Sequence, residues 1–373
     1  MSDSLHPPPA FLAKTPEKVT QQFIREVRDS VNHAMQFRPY RVTHVIAFHW
    51  ENDKMNVQQL ESDLLRTFRN KYGFQTTSFK IPLVESHLKL MNRLCDWSRE
   101  RQGDDVLRIF VYSGHADVVG LHVTEWNLAG RSDHHSGMLL GPKIDWWSIR
   151  RPIEQYSGHS CYIFDCCSGG TGALRHYDGA EFMAARAWEQ NATADPRFSF
   201  TKILIDTLNS LGGRPPTFAA IYSQIFRHAQ TNRIGACPVH VPKTGSCSVT
   251  IGRSMDSQRI TRSMEQNSYR VLISVKVRGD VQQDPAQWSA WLTQNIPKGI
   301  LSTDVVVEGA FQGSGLVLLT VPIEVWTMMP RNDTAYKFIA HVSSCNILKP
   351  ARPTALPIRS PPPSGKENVQ GAR

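Results

Sequence analysis

The sequence predicts an α/β fold, a mainly parallel sheet flanked by helices, followed by a smaller α+β domain. Three observations predict it. Apolar, β-branched runs alternate with amphipathic segments from residue 42 to residue 166, the rhythm of βαβ units in a parallel sheet. A polar stretch at 253–268 then breaks the pattern. After it a second, shorter alternation begins, with two strand-like runs joined at a Gly turn.

The first alternation opens with a helix over 16–36, where Val19, Phe23, Val27 and Val31 recur at helical spacing. "VTHVIAFHW" (42–50) reads as a buried strand. The segment 56–74 is an amphipathic helix, with Leu60, Leu64 and Phe68 on one face and Gly73 as its stop. A strand over 75–82, a helix over 86–102 with Cys95 on its apolar side, and a strand over 105–114 follow. Next come a short helix over 145–156, in which Trp146 and Trp147 read as sheet-covering core, and a strand over 161–166. "GRSDHHSG", with His134 and His135, reads as an exposed loop. Helices over 199–211 and 216–230 and two short strands around a Gly turn within 238–251 complete this part.

The second alternation runs strand (269–277), helix (285–296), hairpin (302–322), short helix (323–329), strand (335–344). That is βαββαβ, the ferredoxin-like order. The expected organisation is therefore an N-terminal extension with a helix (1–40), a main domain (41–252), a linker (253–268), a ferredoxin-like α+β domain (269–349) and a Pro-rich disordered tail (350–373).

Bulk properties narrow the function classes. The chain has 373 residues, of which 40% are hydrophobic, enough for a sizeable core. Its net charge is +9, but the Lys/Arg surplus is spread along the chain, so no nucleic-acid partner is expected. No apolar run reaches membrane-spanning length and the N-terminus lacks a signal-peptide core. A soluble, cytoplasmic protein without a membrane partner is expected. Its seven Cys are an odd, scattered set, which argues for reduced thiols over a disulfide framework.

Two short stretches carry chemistry. "VYSGHAD" places His115 just past one strand, and "FDCCSGG" places Cys166 and Cys167 just past the next. In parallel α/β sheets functional groups collect beyond the carboxyl ends of strands. A thiol, an imidazole to take its proton and a Gly pair that brings backbone amides near the sulfur are the parts of a cysteine peptidase. Taken alone, Cys166 reads as a small core side chain. A zinc cluster of His159, Cys161, Cys166 and Cys167 fits no Cys-x-x-Cys pattern.

These boxes resemble those of metacaspases: "VYSGHAD" is similar to their Tyr-Ser-Gly-His-Gly motif and "DCCSGG" to their Asp-Cys-Cys-x-Ala-Gly box. The resemblance covers roughly 40–252, and "HVIAFHWENDKM", "SFTKILIDTL" and "PVHVP" resemble fungal caspase-like proteins. It implies a caspase-like fold and a cysteine endopeptidase in which His115 is the base and Cys167, two positions after Asp165, the nucleophile. It implies the backbone amides of Ala116 and Cys167 as the oxyanion hole. Asp165 and Glu189 would hold a basic P1 side chain, the substrate residue before the cleaved bond. It implies polypeptide substrates and no obligatory cofactor or metal, with Asp117 and Asp133 as candidate calcium ligands against the plainer reading of solvated loop carboxylates. Ala116 replaces the family's Gly, and Ser168-Gly169-Gly170 departs from its box. The alternative is a catalytically inactive caspase-fold module in cell-death or self-recognition signalling.

Overall fold

The computed structural model describes residues 17–35, 40–55, 57–119, 125–133, 136–166, 180–185, 199–211, 216–231, 238–241, 243, 246–252, 270–278, 305–311, 315–330 and 333–342. All of them belong to one compact unit, Met1–Ser343.

Six strands form the central sheet: β2 (Val42–Trp50), β3 (Gln75–Ile81), β4 (Val106–Ser113), β8 (His159–Asp165), β9 (Glu181–Ala184) and β10 (Val239–Val241). Their order is β10-β9-β8-β4-β2-β3, parallel throughout except that β10 runs antiparallel to β9. The near-continuous apolar character of the middle strands follows from this position. Every residue of β4 is buried, because helices or a second sheet cover both faces of a parallel sheet. Side chains alternate between two cores. Val45, Ala47, Leu107, Ile109, Val111, Cys161 and Ile163 enter one; Ile46, Phe48, Trp50, Phe110, Tyr112, Tyr162 and Phe164 enter the other.

On the first face lie α2 (Val57–Thr67), α5 (Phe200–Ser210) and α6 (Phe218–Thr231). A π turn, Phe68–Tyr72, extends α2 and is closed by Gly73 at φ 71°, a left-handed cap that glycine adopts cheaply. On the second face lie α3 (Ser86–Arg99) and α4 (Trp146–Glu154), the latter capped by Asp145, which accepts from the N–H groups of Trp147 and Ser148. Trp146 is 1% exposed and is core, as its sequence suggests. Arg108, fully buried on β4, donates to the carbonyls of Ser98 (3.2 Å) and Tyr156 (2.8 Å). It thus ties the start of β4 to the carbonyl end of α3, where a cation is favoured by the helix dipole.

Two features depart from the sequence expectation. Residues 115–145 contain a second sheet of β5 (His115–Val119), β6 (Glu125–Ser132) and β7 (Leu139–Asp145), antiparallel in chain order. It meets the core through Ala116, Trp126, Leu128 and Ile144, and its central strand β6 is buried from Trp126 to Gly130. Among the described residues of 238–251 only β10 is a strand. The second expected strand is reduced to a bridge between Thr250 and Thr217, since Val249 and Ile251 instead pair with Phe218 and Pro216 at the start of α6.

The C-terminal strands β11 (Arg270–Arg278), β12 (Val306–Phe311), β13 (Leu316–Pro322) and β14 (Tyr336–Val342) are ordered β14-β11-β13-β12, each neighbour antiparallel. Gly315 turns the β12–β13 hairpin at φ 64°, and α7 (Ile323–Met328) follows β13. The helix expected over 285–296 lies outside the described residues, as do the linker 253–268 and the tail 350–373. Near the N-terminus, β1 (Lys18–Val19) pairs in parallel with the end of β11, and α1 (Thr20–Met35) packs on α7. Phe23, Val27 and Val31 of α1, residues of the main sheet, and Val271, Ile273 and Val321 of the C-terminal sheet share one continuous core.

Candidate active site

The register of the central sheet positions the two boxes. In the β4–β8 ladder the last pair is Ser113 opposite Asp165. Both chains therefore leave the sheet at the same level, and the Gly114 N–H donates to the Asp165 carbonyl (3.1 Å) just beyond it. His115 follows two positions after Ser113, as Cys167 follows two positions after Asp165. Cys167 and Glu189 lie outside the described residues, as do His134 and His135.

His115 is held from three directions. It starts β5, opposite Ala129 of β6. The Tyr112 hydroxyl donates to the His115 carbonyl (2.8 Å) and reaches that of Ala129 (3.2 Å). The imidazole Nδ1 is hydrogen-bonded to Ser132 Oγ at 3.0 Å. The first of these contacts explains the glycine in "YSGH". A Cβ on Gly114 would stand 2.5 Å from the Tyr112 hydroxyl and 2.9 Å from its Cζ, so a larger residue would displace the ring that fixes the His115 backbone.

Ala116, where a Gly would be expected from the resemblance, is unstrained. It lies in β5 opposite Leu128 and is 4% exposed. Glu85 alone among the described non-glycine residues has positive φ. Substitution of Gly by Ala at 116 therefore carries no backbone penalty.

Asp165 has a defined structural task. Its Oδ2 accepts from the Thr201 N–H (3.0 Å) and the Thr201 hydroxyl (2.6 Å) at the start of α5. A carboxylate at a helix N-terminus is favoured by the exposed N–H groups and the dipole. Cys166 is fully buried among the aromatic core residues. Phe164 anchors the strand just before it, with Trp146, Trp126 and Phe182 at ring-centroid distances of 4.9, 5.1 and 5.3 Å. Cys161 is fully buried as well, and burial pushes its thiol pKa well above the usual value, the opposite of what a nucleophile needs.

Among the described residues no group of three or more His, Cys, Asp or Glu could hold a metal ion. Asp133 accepts from the N–H and hydroxyl of Ser136 (2.8 and 2.9 Å), and Asp117 from the N–H of Val118 (2.8 Å). No helix among the described residues is long and apolar enough to cross a membrane.

Ser132 and Thr201 were not legible as site residues. Each is distant in sequence from its partner, and a lone Ser or Thr near a turn or helix start carries no signal of which group it will meet.

No protein-family model matches the chain, and no curated protein does. Solved structures do. Caspase-1 from Spodoptera frugiperda is similar at 10% identity, covering 59% of this chain and 93% of that one with a TM-score of 0.42. The Drosophila initiator caspase Dronc is similar at 9% identity, covering 57% and 83% with a TM-score of 0.38.

Proposed function

We propose that the chain is a cysteine endopeptidase of the caspase/metacaspase type. The observation that carries this reading is the common exit level of β4 and β8, with Ser113 paired to Asp165. Adjacent parallel strands run about 4.8 Å apart, so the two chains that carry the boxes leave this pair side by side. In the proposed reaction His115 takes the proton of the Cys167 thiol. The thiolate attacks the scissile carbonyl, and backbone N–H groups, that of Ala116 among them, stabilise the oxyanion. The proton passes to the leaving amine, and water then hydrolyses the thioester. In this reaction His115 Nδ1 donates to Ser132 Oγ, its neighbour at 3.0 Å, and Nε2 takes the proton. Asp165 favours Arg or Lys at P1 through its carboxylate charge.

A second reading, an inactive caspase-fold module in cell-death or self-recognition signalling, draws on one observation. Both its key supporting groups have structural work: Ala116 is buried within the β5–β6 pair and Asp165 caps α5.

The deciding experiment compares wild type, Cys167→Ala and Cys166→Ala on Arg-, Lys- and Asp-ending fluorogenic peptides. Cleavage abolished by Cys167→Ala and largely kept by Cys166→Ala supports the peptidase. Equal loss from both, or loss from Cys166→Ala alone, overturns the nucleophile. No cleavage by correctly folded wild type favours the inactive module.

A further inference from the structure

Away from the two boxes, a cavity of about 310 Å³ opens between α6, β10, α7 and β14. The rings of Tyr222, Trp326, Tyr336 and Phe338 and the imidazoles of His240 and His341 line it. The rings form a connected wall. Tyr222 stacks on His240 with centroids 5.3 Å apart, Phe338 meets His341 at 5.0 Å and Trp326 meets Phe338 at 6.4 Å. Flat apolar walls with few polar groups are the usual make-up of a small-ligand site.

The polar groups of the wall are mostly committed. The Tyr336 hydroxyl donates to Glu26 (2.7 Å) and the Tyr222 hydroxyl to the Pro238 carbonyl (3.3 Å). Asp333 is neutralised by Lys18. Burial pushes the His341 pKa down, which keeps that ring neutral. His240 is different. Its side chain is 1% exposed and its Nε2 is held at 2.6 Å by Glu181 Oε1. Glu181 itself accepts from the Ser248 hydroxyl and the Val249 N–H, each at 2.6 Å. With Nε2 held against that carboxylate oxygen, Nδ1 is the ring nitrogen left for a ligand. No hydrogen-bond partner meets it among the described residues. A ligand N–H donated to Nδ1 would add a hydrogen bond there.

We propose that this cavity binds a neutral, flat heteroaromatic ring that donates one N–H to His240 Nδ1. Its charge balance disfavours both anions and cations, and its aromatic walls favour stacking. The ring could be that of a free small molecule or of a tryptophan side chain, and the test separates the two.

Calorimetry on the full chain uses indole, 1-methylindole, benzoate, benzylamine and N-acetyltryptophanamide as probes. Indole should bind saturably, 1-methylindole roughly tenfold more weakly for want of the donor, and the two charged probes not measurably. Binding of indole alone assigns the site to a small molecule; binding of N-acetyltryptophanamide as well extends it to a tryptophan residue. His240→Gln, which keeps a donor for Glu181, should abolish the difference between indole and 1-methylindole. Phe338→Ala, on a half-exposed wall residue, should weaken both. The second variant and the probe pair on wild type keep the test decisive should His240→Gln fail to fold. Equal binding of indole and 1-methylindole to wild type, absence of saturable indole binding, or no effect of Phe338→Ala overturns the proposal.

Discussion

Ser132 sits at the end of β6 and reaches across the small sheet to Nδ1 of His115. In the proposed enzyme it is a positioning residue, since it acts on the base and not on substrate. Ser132→Ala should lower kcat/KM by roughly tenfold with KM unchanged, the scale of one lost hydrogen bond, and Ser132→Thr should restore most of it. The pH profile distinguishes positioning from packing. Loss of this bond shifts the limb that reports His115, whereas a packing defect lowers the whole curve; an unshifted limb removes Ser132 from the machinery. A second residue-scale effect concerns stability. His44 lies opposite Arg108 in the β2–β4 ladder. Burial, then the charges of Arg101, Arg108 and Arg41, lower its pKa from 6.5 to about 4. The unfolded chain takes up a proton here near pH 6.5 while the folded chain resists it down to about pH 4. The contribution is therefore fully present above pH 6.5 and is lost as the pH falls through that window. Urea unfolding of wild type at about pH 7 and about pH 4.5 should show a larger loss of stability than the same pair for His44→Gln. Equal losses would mean that His44 protonates freely in the fold.

At the scale of elements, one carboxylate joins β8 to α5. The Asp165 bonds to Thr201 hold the helix start against the strand end. Thr201→Val removes the hydroxyl bond and keeps the side-chain shape. It should lower stability by about 1 kcal/mol and leave P1 preference unchanged. Asp165→Asn should be destabilising to a similar extent and also reduce cleavage after Arg by roughly 30-fold or more, the scale of a desolvated charge pair. Chemical denaturation and a P1 scan on both variants check this. A preference for Arg that survives Asp165→Asn assigns the carboxylate to α5 alone. The small β5–β7 sheet has an analogous joining role. It lies over the second face of the central sheet and turns the chain after β4 so that His115 is anchored by pairing on β6 and by the Tyr112 hydroxyl.

At the scale of the molecule, the C-terminal sheet is sealed onto the rest. Lys18, 4% exposed, pairs with Glu26 at 2.7 Å and with Asp333, under the Tyr336 ring. Glu17 pairs with Lys276 (2.7 Å) and Arg278 (3.2 Å). The apolar core runs from Phe23 through Ile221 and Tyr222 to Ile323 and Val325. The polar stretch 253–268 carries Arg253, Arg259 and Arg262, and brief trypsin treatment should cut there first. The two fragments should then co-elute in size exclusion, because the core they share is not severed by the cut. First cuts within 45–165 would refute the division at this stretch, and separation of the fragments would refute the shared core.

The central alternation was legible because periodicity is local. The strand over 42–50, the stop at Gly73 and the switch to helix at 86 all follow from residues a few positions apart, and the structure places each within a residue or two of expectation. The four C-terminal strands were readable for the same reason. The order of the two boxes along the chain, and the expectation that they lie past neighbouring strands, also came from sequence. What the sequence did not determine is everything that depends on which surfaces meet. β9 is four residues long and its pattern is too short to register. The β5–β7 strands mix polar residues and glycines with a few apolar ones, with no clear period of two, so only pairing makes them strands. Ser132 on His115, Thr201 on Asp165 and Glu181 on His240 join residues 17, 36 and 59 positions apart. The sequence by itself determined the main alternating elements and the chemistry they carry to the sheet's edge. Only the tertiary structure decided which polar side chains hold that chemistry in place, because a hydrogen bond needs its donor and acceptor within about 3 Å and no spacing along the chain specifies that distance.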